Sequence, residues 1–329
     1  VFHVRRDVDD PLSRDRDRED DRMSMFCYQC QETAGNEGCT DVGVCGKDPE
    51  TANLQDLLVW ELKGLAYVAQ RAREAGITDA ETNVFVAESL FATITNVNFD
   101  PAWFEDQLRE TQERREALRA EYEAAVGELD DGELPEAATW TGDSSAAFRE
   151  KAASSQVGVM ATDDANIRSL RELLTYGLKG IASYADHAYV LGEKKSDIFA
   201  FVQRGLAATL DDDLGVDELT ALVLETGEVG VEVMELLDKA HTDTYGHPEP
   251  TEVDIGVRDR PGILVSGHDL KDLEELLEQT EGEGVDVYTH GEMLPAHAYP
   301  AFKEYDHFVG NYGNAWWQQH EEFEAFNGP

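Results

Sequence analysis

The first long apolar pattern along the chain is helical. Between Leu54 and Ala69, apolar side chains recur at intervals of three and four residues, as they do on the buried face of an amphipathic helix. Thr51 comes just before this pattern, and threonine is a residue type that caps helix N-termini. The pattern therefore predicts a helix that begins near Thr51.

Two more helices are predicted after the first one. One runs from Ala80 to Val97. The other runs from Pro101 to Val126, with a proline in its first turn and many Glu and Arg side chains that suit a solvated face. Three successive helices indicate a three-helix bundle. The stretch 127–160 is rich in Gly, Ser and Ala, which predicts a connector.

The helical pattern then occurs a second time. The segment LLVWELKGLA at 57–66 aligns without a gap with LLTYGLKGIA at 173–182, and the segments 196–211 and 216–240 are again amphipathic. Internal similarity of this kind is typical of a duplicated structural unit. The simplest interpretation is a helical domain of two three-helix bundles over residues 51–250.

Two aromatic residues occupy matching positions in the repeat, Trp60 and Tyr176. A stacking site for a cofactor is one interpretation of such a pair. Aromatic side chains on the apolar stripe of an amphipathic helix are, however, far more often part of the core. We therefore assign both residues to packing.

From about residue 252 the pattern changes to short apolar runs. GILVSG at 262–267, VDVYTH at 285–290 and YDHFVGN at 305–311 read as strands, and LKDLEELLEQT at 270–280 reads as an amphipathic helix. Strands that alternate with helices predict a parallel α/β sheet. No G-x-G-x-x-G motif follows a strand, so a dinucleotide site has little support.

The predicted fold is mainly α followed by α/β. Duplicated three-helix bundles precede the start of a Rossmann-like parallel sheet domain, which is incomplete and leaves an exposed sheet edge. The predicted parts are a disordered extension at 1–24, a cysteine loop at 25–50, the helical domain at 51–250 and the incomplete α/β domain at 251–329.

Ionisable residues follow two of the predicted strands. His268 comes after the first strand, and His290 and Glu292 come after the second. Ligands of open α/β sheets gather at the carboxyl ends of the strands. A single histidine at such a place is more often structural than a ligand, and a loop glutamate is usually solvated. The residues alone therefore give these positions little functional weight.

The charge of the chain excludes several classes of partner. Lys and Arg number 27 against 69 Asp and Glu, a net charge of −42. Such an acidic surface repels nucleic acid and anionic membranes. The acidic residues are spread along the sequence, which indicates a surface that stays hydrated at high salt, as in a halophilic cell. No apolar stretch approaches the roughly 18 residues that a membrane helix needs.

The N-terminal segment 1–24 alternates Arg and Asp with few apolar residues and is predicted to be disordered. Met25 is the natural start that we expect. The segment contains no apolar run that could serve in a signal peptide. We therefore expect a cytoplasmic protein, in which structural disulfides are rare.

The four cysteines of the chain form one short cluster. Cys27, Cys30, Cys39 and Cys45 have the spacing C-x2-C-x8-C-x5-C, so a single loop can bring four thiolates to one centre. Sites of four cysteines hold either structural zinc or an iron–sulfur cluster. Zinc ribbons usually have two C-x2-C pairs, and the wider second pair here favours iron. Two disulfides are the least favoured alternative.

Several long motifs resemble one family. They are MFCYQCQETA, GCT, GVCGK and ETANLQDLL near the N-terminus, GHPEPT at 246–251, then PGILVSGHDLKDLEELLEQT, GVDVYTHGEMLPAH and FVGNYGNAWW. Together they resemble the hybrid cluster protein family, also called prismane proteins or hydroxylamine reductases. The resemblance covers residues 25–329.

The resemblance implies two metal centres. The four cysteines match the ligands of an N-terminal [4Fe–4S] cluster. His268 and Glu292 match ligands of a hybrid iron–sulfur–oxygen cluster, where catalysis takes place. His290 matches no ligand and is a candidate either for a role that supports the ligands or for a structural role. The implied reaction reduces hydroxylamine to ammonia and water. Nitric oxide is a second implied substrate, in nitrosative stress, and an external electron donor protein is an implied partner.

The sequence also departs from the family pattern, because it contains no cysteine after Cys45. The family's second centre uses further cysteines, a further glutamate and a nearby lysine. We therefore expect this chain to be the N-terminal portion of a larger enzyme and to be inactive alone. The alternatives are an iron–sulfur electron-transfer fragment without turnover and a zinc-stabilised structural protein.

Overall fold

A computed structural model describes residues 24–95 and 97–329. The predicted disordered extension lies outside the described residues apart from Ser24. One compact unit comprises the residues up to Ala182 together with Phe199–Val229, and the other comprises Ser183–Ile198 together with Gly230–Pro329. The fold is mainly α followed by α/β, as predicted. The predicted domain boundaries stay predictions.

Helices α1 (Pro49–Glu74), α2 (Ala80–Ala92) and α3 (Pro101–Ala125) form the first bundle. The cap of α1 differs from the predicted one. The carboxylate of Asp48 accepts a hydrogen bond from the backbone N–H of Thr51 at 2.7 Å, so Asp48 is the cap and Thr51 lies inside the helix. Aspartate before an N-terminal proline suits a helix start, because its side chain satisfies an otherwise unpaired N–H.

Two other helix predictions need correction. Helix α2 ends at Ala92 and not at Val97, and the Thr93 hydroxyl donates to the carbonyl of Leu90 at 2.7 Å just past its end. The predicted connector contains a further helix, α4 (Ser145–Ala152), which buries Phe148. Short helices depend on such packing more than on local propensity, so the sequence pattern does not reveal them.

The second bundle consists of α5 (Ala165–Val190), α6 (Ser196–Ala208) and α7 (Val216–Tyr245). Two glycines, Gly177 on α5 and Gly205 on α6, permit close packing between α5 and its neighbouring helices. A Cβ atom at Gly177 would lie 2.7 Å from the Thr226 methyl group, and a Cβ atom at Gly205 would lie 2.8 Å from Leu178. These three helices correspond to the second copy that the repeat predicts.

The sheet has three parallel strands in the order β1-β2-β3, which span Gly262–Ser266, Asp286–His290 and Phe308–Asn311. Helix α8 (Leu270–Thr280) connects β1 to β2, and α9 (Gln319–Ala325) follows β3. Strand β2 is buried along its whole length. Its register pairs Ser266 with His290, so β1 and β2 end side by side.

The sheet edges are less open than predicted. On the β1 side, the backbone N–H of Leu264 donates to the carbonyl of Pro329 at 2.9 Å. On the β3 side, the N–H of Asn311 donates to the carbonyl of Asp254 at 2.8 Å. Each outer strand therefore has a backbone partner beyond the sheet. Within the described residues, none of the helices has the length and apolar character that a bilayer span requires.

Candidate metal centre

The cysteine loop is held by a short antiparallel contact. Cys27 and Cys39 exchange two backbone hydrogen bonds of 3.0 and 2.8 Å. The Thr33 hydroxyl donates to the carbonyl of Cys27 at 3.0 Å, which folds the intervening turn back onto the pair. The loop thus brings the first and third cysteines side by side.

Backbone N–H groups point at one of the sulfur atoms. Burial of Cys39 works to raise the pKa of its thiol, but hydrogen bonds from the N–H groups of Ala34 and Val44 outweigh it, and the nearby Thr33 hydroxyl and Lys47 add to their effect. The net effect is a lowered pKa. Such donors favour the thiolate, which is the form that binds metal.

The other three cysteines change the pKa of the Cys30 thiol. Burial raises the pKa of the Cys30 thiol, and the negative charges of Cys27, Cys45 and Cys39 raise it further. All four cysteines are free thiols. The four sulfur atoms therefore lie near one another. Among the described residues, no group of three or more His, Cys, Asp or Glu side chains is arranged to hold a metal ion.

The donor set nonetheless fits an iron–sulfur cluster. Four free cysteines in one loop supply the thiolates that such a cluster needs, and N–H groups directed at sulfur are the contacts that stabilise its negative charge. Four cysteines also suit zinc. The cluster type and the role of each cysteine as a ligand stay predictions.

A cavity of about 230 Å³ lies beside the cysteine loop, and Cys27 lines it. Its wall contains residues that occupy equivalent positions in the two copies of the repeat. The equivalent pairs are Gln55 and Arg171, Asp56 and Glu172, Val59 and Thr175, Trp60 and Tyr176, and Lys63 and Lys179. The equivalent faces of α1 and α5 therefore meet at this cavity. The sequence shows the repeat but not that its two copies share one polar site.

Helix α5 holds the first part of the cysteine loop. The Tyr28 hydroxyl donates to the carboxylate of Glu172 at 3.1 Å, and the Tyr176 hydroxyl donates to the carbonyl of Gln29 at 2.9 Å. The assignment to packing is right for Trp60, which is buried. It is wrong for Tyr176, which is 45% exposed and serves as a hydrogen-bond donor to the loop.

The structure brings His268 and Glu292 together. Nε2 of His268 lies 2.5 Å from Oε2 of Glu292, and the two side chains are 58% and 61% exposed. The cause is the strand register. Each residue follows a glycine of positive φ directly after its strand, Gly267 at 130° and Gly291 at 54°, and these adjacent turns place the two side chains at the same sheet edge.

His290 lies elsewhere in the same region. It is fully buried in β2, with Nδ1 3.2 Å from the Ser266 hydroxyl and Nε2 2.8 Å from the carboxylate of Glu322. Its ring lies edge-on to Phe323 at 4.9 Å. Both ring nitrogens thus have protein partners, which agrees with the structural assignment of His290.

Comparison with known proteins gives the family. The Prismane/CO dehydrogenase family matches residues 25–329. Relatives named hydroxylamine reductase include proteins of Halothermothrix orenii at 62% identity, Natranaerobius thermophilus at 58% and Desulfitobacterium hafniense at 61%, each over 93% of this chain and 55 or 56% of the relative. The chain spans about half the length of these curated relatives. It belongs to the Prismane/CO dehydrogenase family.

Proposed function

We propose that this chain takes part in the two-electron reduction of hydroxylamine to ammonia and water. The reaction is NH2OH + 2 H⁺ + 2 e⁻ → NH3 + H2O. The contact between His268 and Glu292 carries the proposal. A zinc-stabilised structural protein gives no reason for these two side chains to meet at the carboxyl ends of adjacent strands, where α/β proteins bind their ligands.

Two sets of residues would hold the metal centres. The cysteines would hold a [4Fe–4S] cluster, and His268 and Glu292 would supply nitrogen and oxygen donors to a hybrid cluster whose thiolates this sequence does not contain. Iron–sulfur centres supply electrons, and an iron with mixed ligands and an open position also supplies a Lewis acid. The proposal also includes nitric oxide as a second substrate and an electron donor protein as a partner.

The cell type is part of the same proposal. The acidic composition supports a cytoplasm that accumulates salt, and reduction of hydroxylamine or nitric oxide would serve there in nitrosative stress.

Hydroxylamine turnover tests the proposal. The protein is purified without oxygen from the cells that make it, and ammonia release is measured with hydroxylamine and a reduced viologen dye. We expect Glu292→Gln to lower the rate at least a hundredfold, because the amide is a poor ligand. The exposed Glu283→Gln serves as the matched control and should keep the wild-type rate. Equal rates for Glu292→Gln and wild type would exclude the assigned role.

A further inference from the structure

Two buried lysines lie near the cysteines, Lys47 within the cysteine loop and Lys179 on α5. Lys47 is 1% exposed and donates to the Gln55 side chain at 2.6 Å, and Lys179 is 6% exposed. Both line the cavity that Cys27 also lines. Cys27 is close enough to Lys179 to act on it electrostatically, and Lys47 acts in the same way on Cys39. Buried charges interact strongly because little water screens them.

Lys179 and the cysteine loop donate hydrogen bonds to the same backbone carbonyl. Nζ of Lys179 donates to the backbone oxygen of Thr93 at 3.2 Å, and the side-chain amide of Gln29 donates to the same oxygen at 3.3 Å. Gln29 lies between Cys27 and Cys30 in the sequence. The ammonium group of Lys179 is therefore held at a fixed place beside the first two cysteines.

The repeat supplies a second lysine for comparison. Lys63 is the equivalent of Lys179, and Asp56 is the equivalent of Glu172. The strongest electrostatic partner of Lys179 is Asp56, and that of Lys63 is Glu172, so each pair joins the two copies. Cys27 acts on Lys179, whereas the charges that act on Lys63 are Glu172, Arg171 and Asp56. The two lysines thus share a cavity but differ in their relation to the cysteine loop.

We propose that Lys179 and Lys47 raise the reduction potential of the centre held by the four cysteines, and that Asp56 opposes them. This inference rests on the proposed iron–sulfur cluster. Reduction adds one negative charge to a cluster, and a fixed positive charge nearby stabilises the reduced state. A carboxylate at the same place disfavours it, but burial raises the pKa of Asp56 to about 7, so at pH 7 Asp56 opposes the lysines with only part of its negative charge. The lysines thereby make the loop a better electron acceptor.

A redox titration followed by electron paramagnetic resonance tests the inference. The whole 329-residue chain is purified and reconstituted without oxygen, and the cluster is titrated at pH 7. At the wild-type midpoint, Lys179→Met should lower the ratio of reduced to oxidised cluster about tenfold, a shift of about 59 mV for one electron. Lys47→Met should act in the same direction. Asp56→Asn should shift the midpoint to higher potential.

Lys63→Met is the matched control, because it removes an equivalent lysine from the same cavity. We expect it to change the ratio less than twofold. Equal shifts for Lys63→Met and Lys179→Met, or no shift for Lys47→Met and Lys179→Met, would overturn the inference. If Lys179→Met fails to fold by circular dichroism, Lys47→Met and Asp56→Asn decide the question. A folded wild-type chain that takes up no iron would instead refute the proposed cluster, and the inference with it.

Discussion

At the scale of single residues, His297 is an example of a side chain that is buried in its neutral form. Its ring is stacked on Phe308 with the centroids 3.9 Å apart, and Nε2 lies 2.9 Å from the Thr289 hydroxyl. Burial lowers the pKa of His297 to about 4. The imidazole is thus neutral in the folded chain at pH values where an unfolded histidine already binds a proton.

This pKa predicts a pH-dependent stability. Because the folded pKa lies below the unfolded value of about 6.5, the contribution of His297 is complete above pH 6.5 and is lost as pH falls toward 4, by up to about 3 kcal/mol. The free energy of unfolding of wild type minus that of His297→Gln should therefore shrink over this range. The exposed His247→Gln is the control. A difference that stays constant from pH 7 to 4.5 would contradict the account.

The sequence predicts some site residues and misses others. His268 and Glu292 are found because they follow strands in a family motif, and the parallel register explains why they meet. Lys47 and Lys179 are missed. Lys47 follows the last cysteine of the loop and Lys179 lies in the helical repeat, and a lysine at either place reads as a solvated residue. Only the cavity that the loop and the equivalent faces of α1 and α5 line shows that both are buried.

At the scale of elements, capping decides where helices begin. Asp79 caps α2, and its carboxylate accepts hydrogen bonds from the N–H groups of Glu81 at 3.0 Å and Thr82 at 3.2 Å. Burial works to raise the pKa of Asp79, but these bonds and that of the Thr82 hydroxyl outweigh it and lower the pKa. The cap is therefore ionised at neutral pH, where it also interacts favourably with the helix dipole.

Loss of this cap should loosen the start of α2. We expect Asp79→Ala to cost about 1 kcal/mol, which corresponds to roughly fivefold faster hydrogen exchange at the amides of Glu81 and Thr82. Nuclear magnetic resonance or mass spectrometry measures these rates. Asp79→Asn keeps an acceptor and should stay close to wild type. Unchanged exchange in Asp79→Ala would show that the cap does not hold this end.

Element prediction is most accurate where the apolar pattern is long or strongly amphipathic. Helix α8 has its predicted limits, Leu270–Thr280, and α1 and α3 match their predicted spans to within a few residues. Prediction fails where a tertiary contact decides, as for α4, or where a side chain ends a helix early, as Thr93 does after α2. The outer strands of the sheet likewise form backbone hydrogen bonds with Asp254 and Pro329, which no local sequence pattern indicates.

At the scale of the whole molecule, charge is distributed unevenly. The chain has 27 basic residues against 69 acidic ones, yet the lining of the cavity beside the cysteine loop includes the cationic side chains Lys47, Lys63, Arg171 and Lys179 together with the carboxylates Asp56, Glu172 and Asp212. Net charge alone does not predict this near balance of charge. Lys63 and Lys179 meet there because each copy of the repeat contributes its lysine to the same place.

The central claim is that the four-cysteine loop binds an iron–sulfur cluster. Iron, zinc and acid-labile sulfide should be measured per chain in protein purified without oxygen, together with a Cys30→Ser variant. The account predicts about four iron and four sulfide ions per chain, with a brown colour that Cys30→Ser loses or weakens. One zinc ion with no sulfide would contradict it.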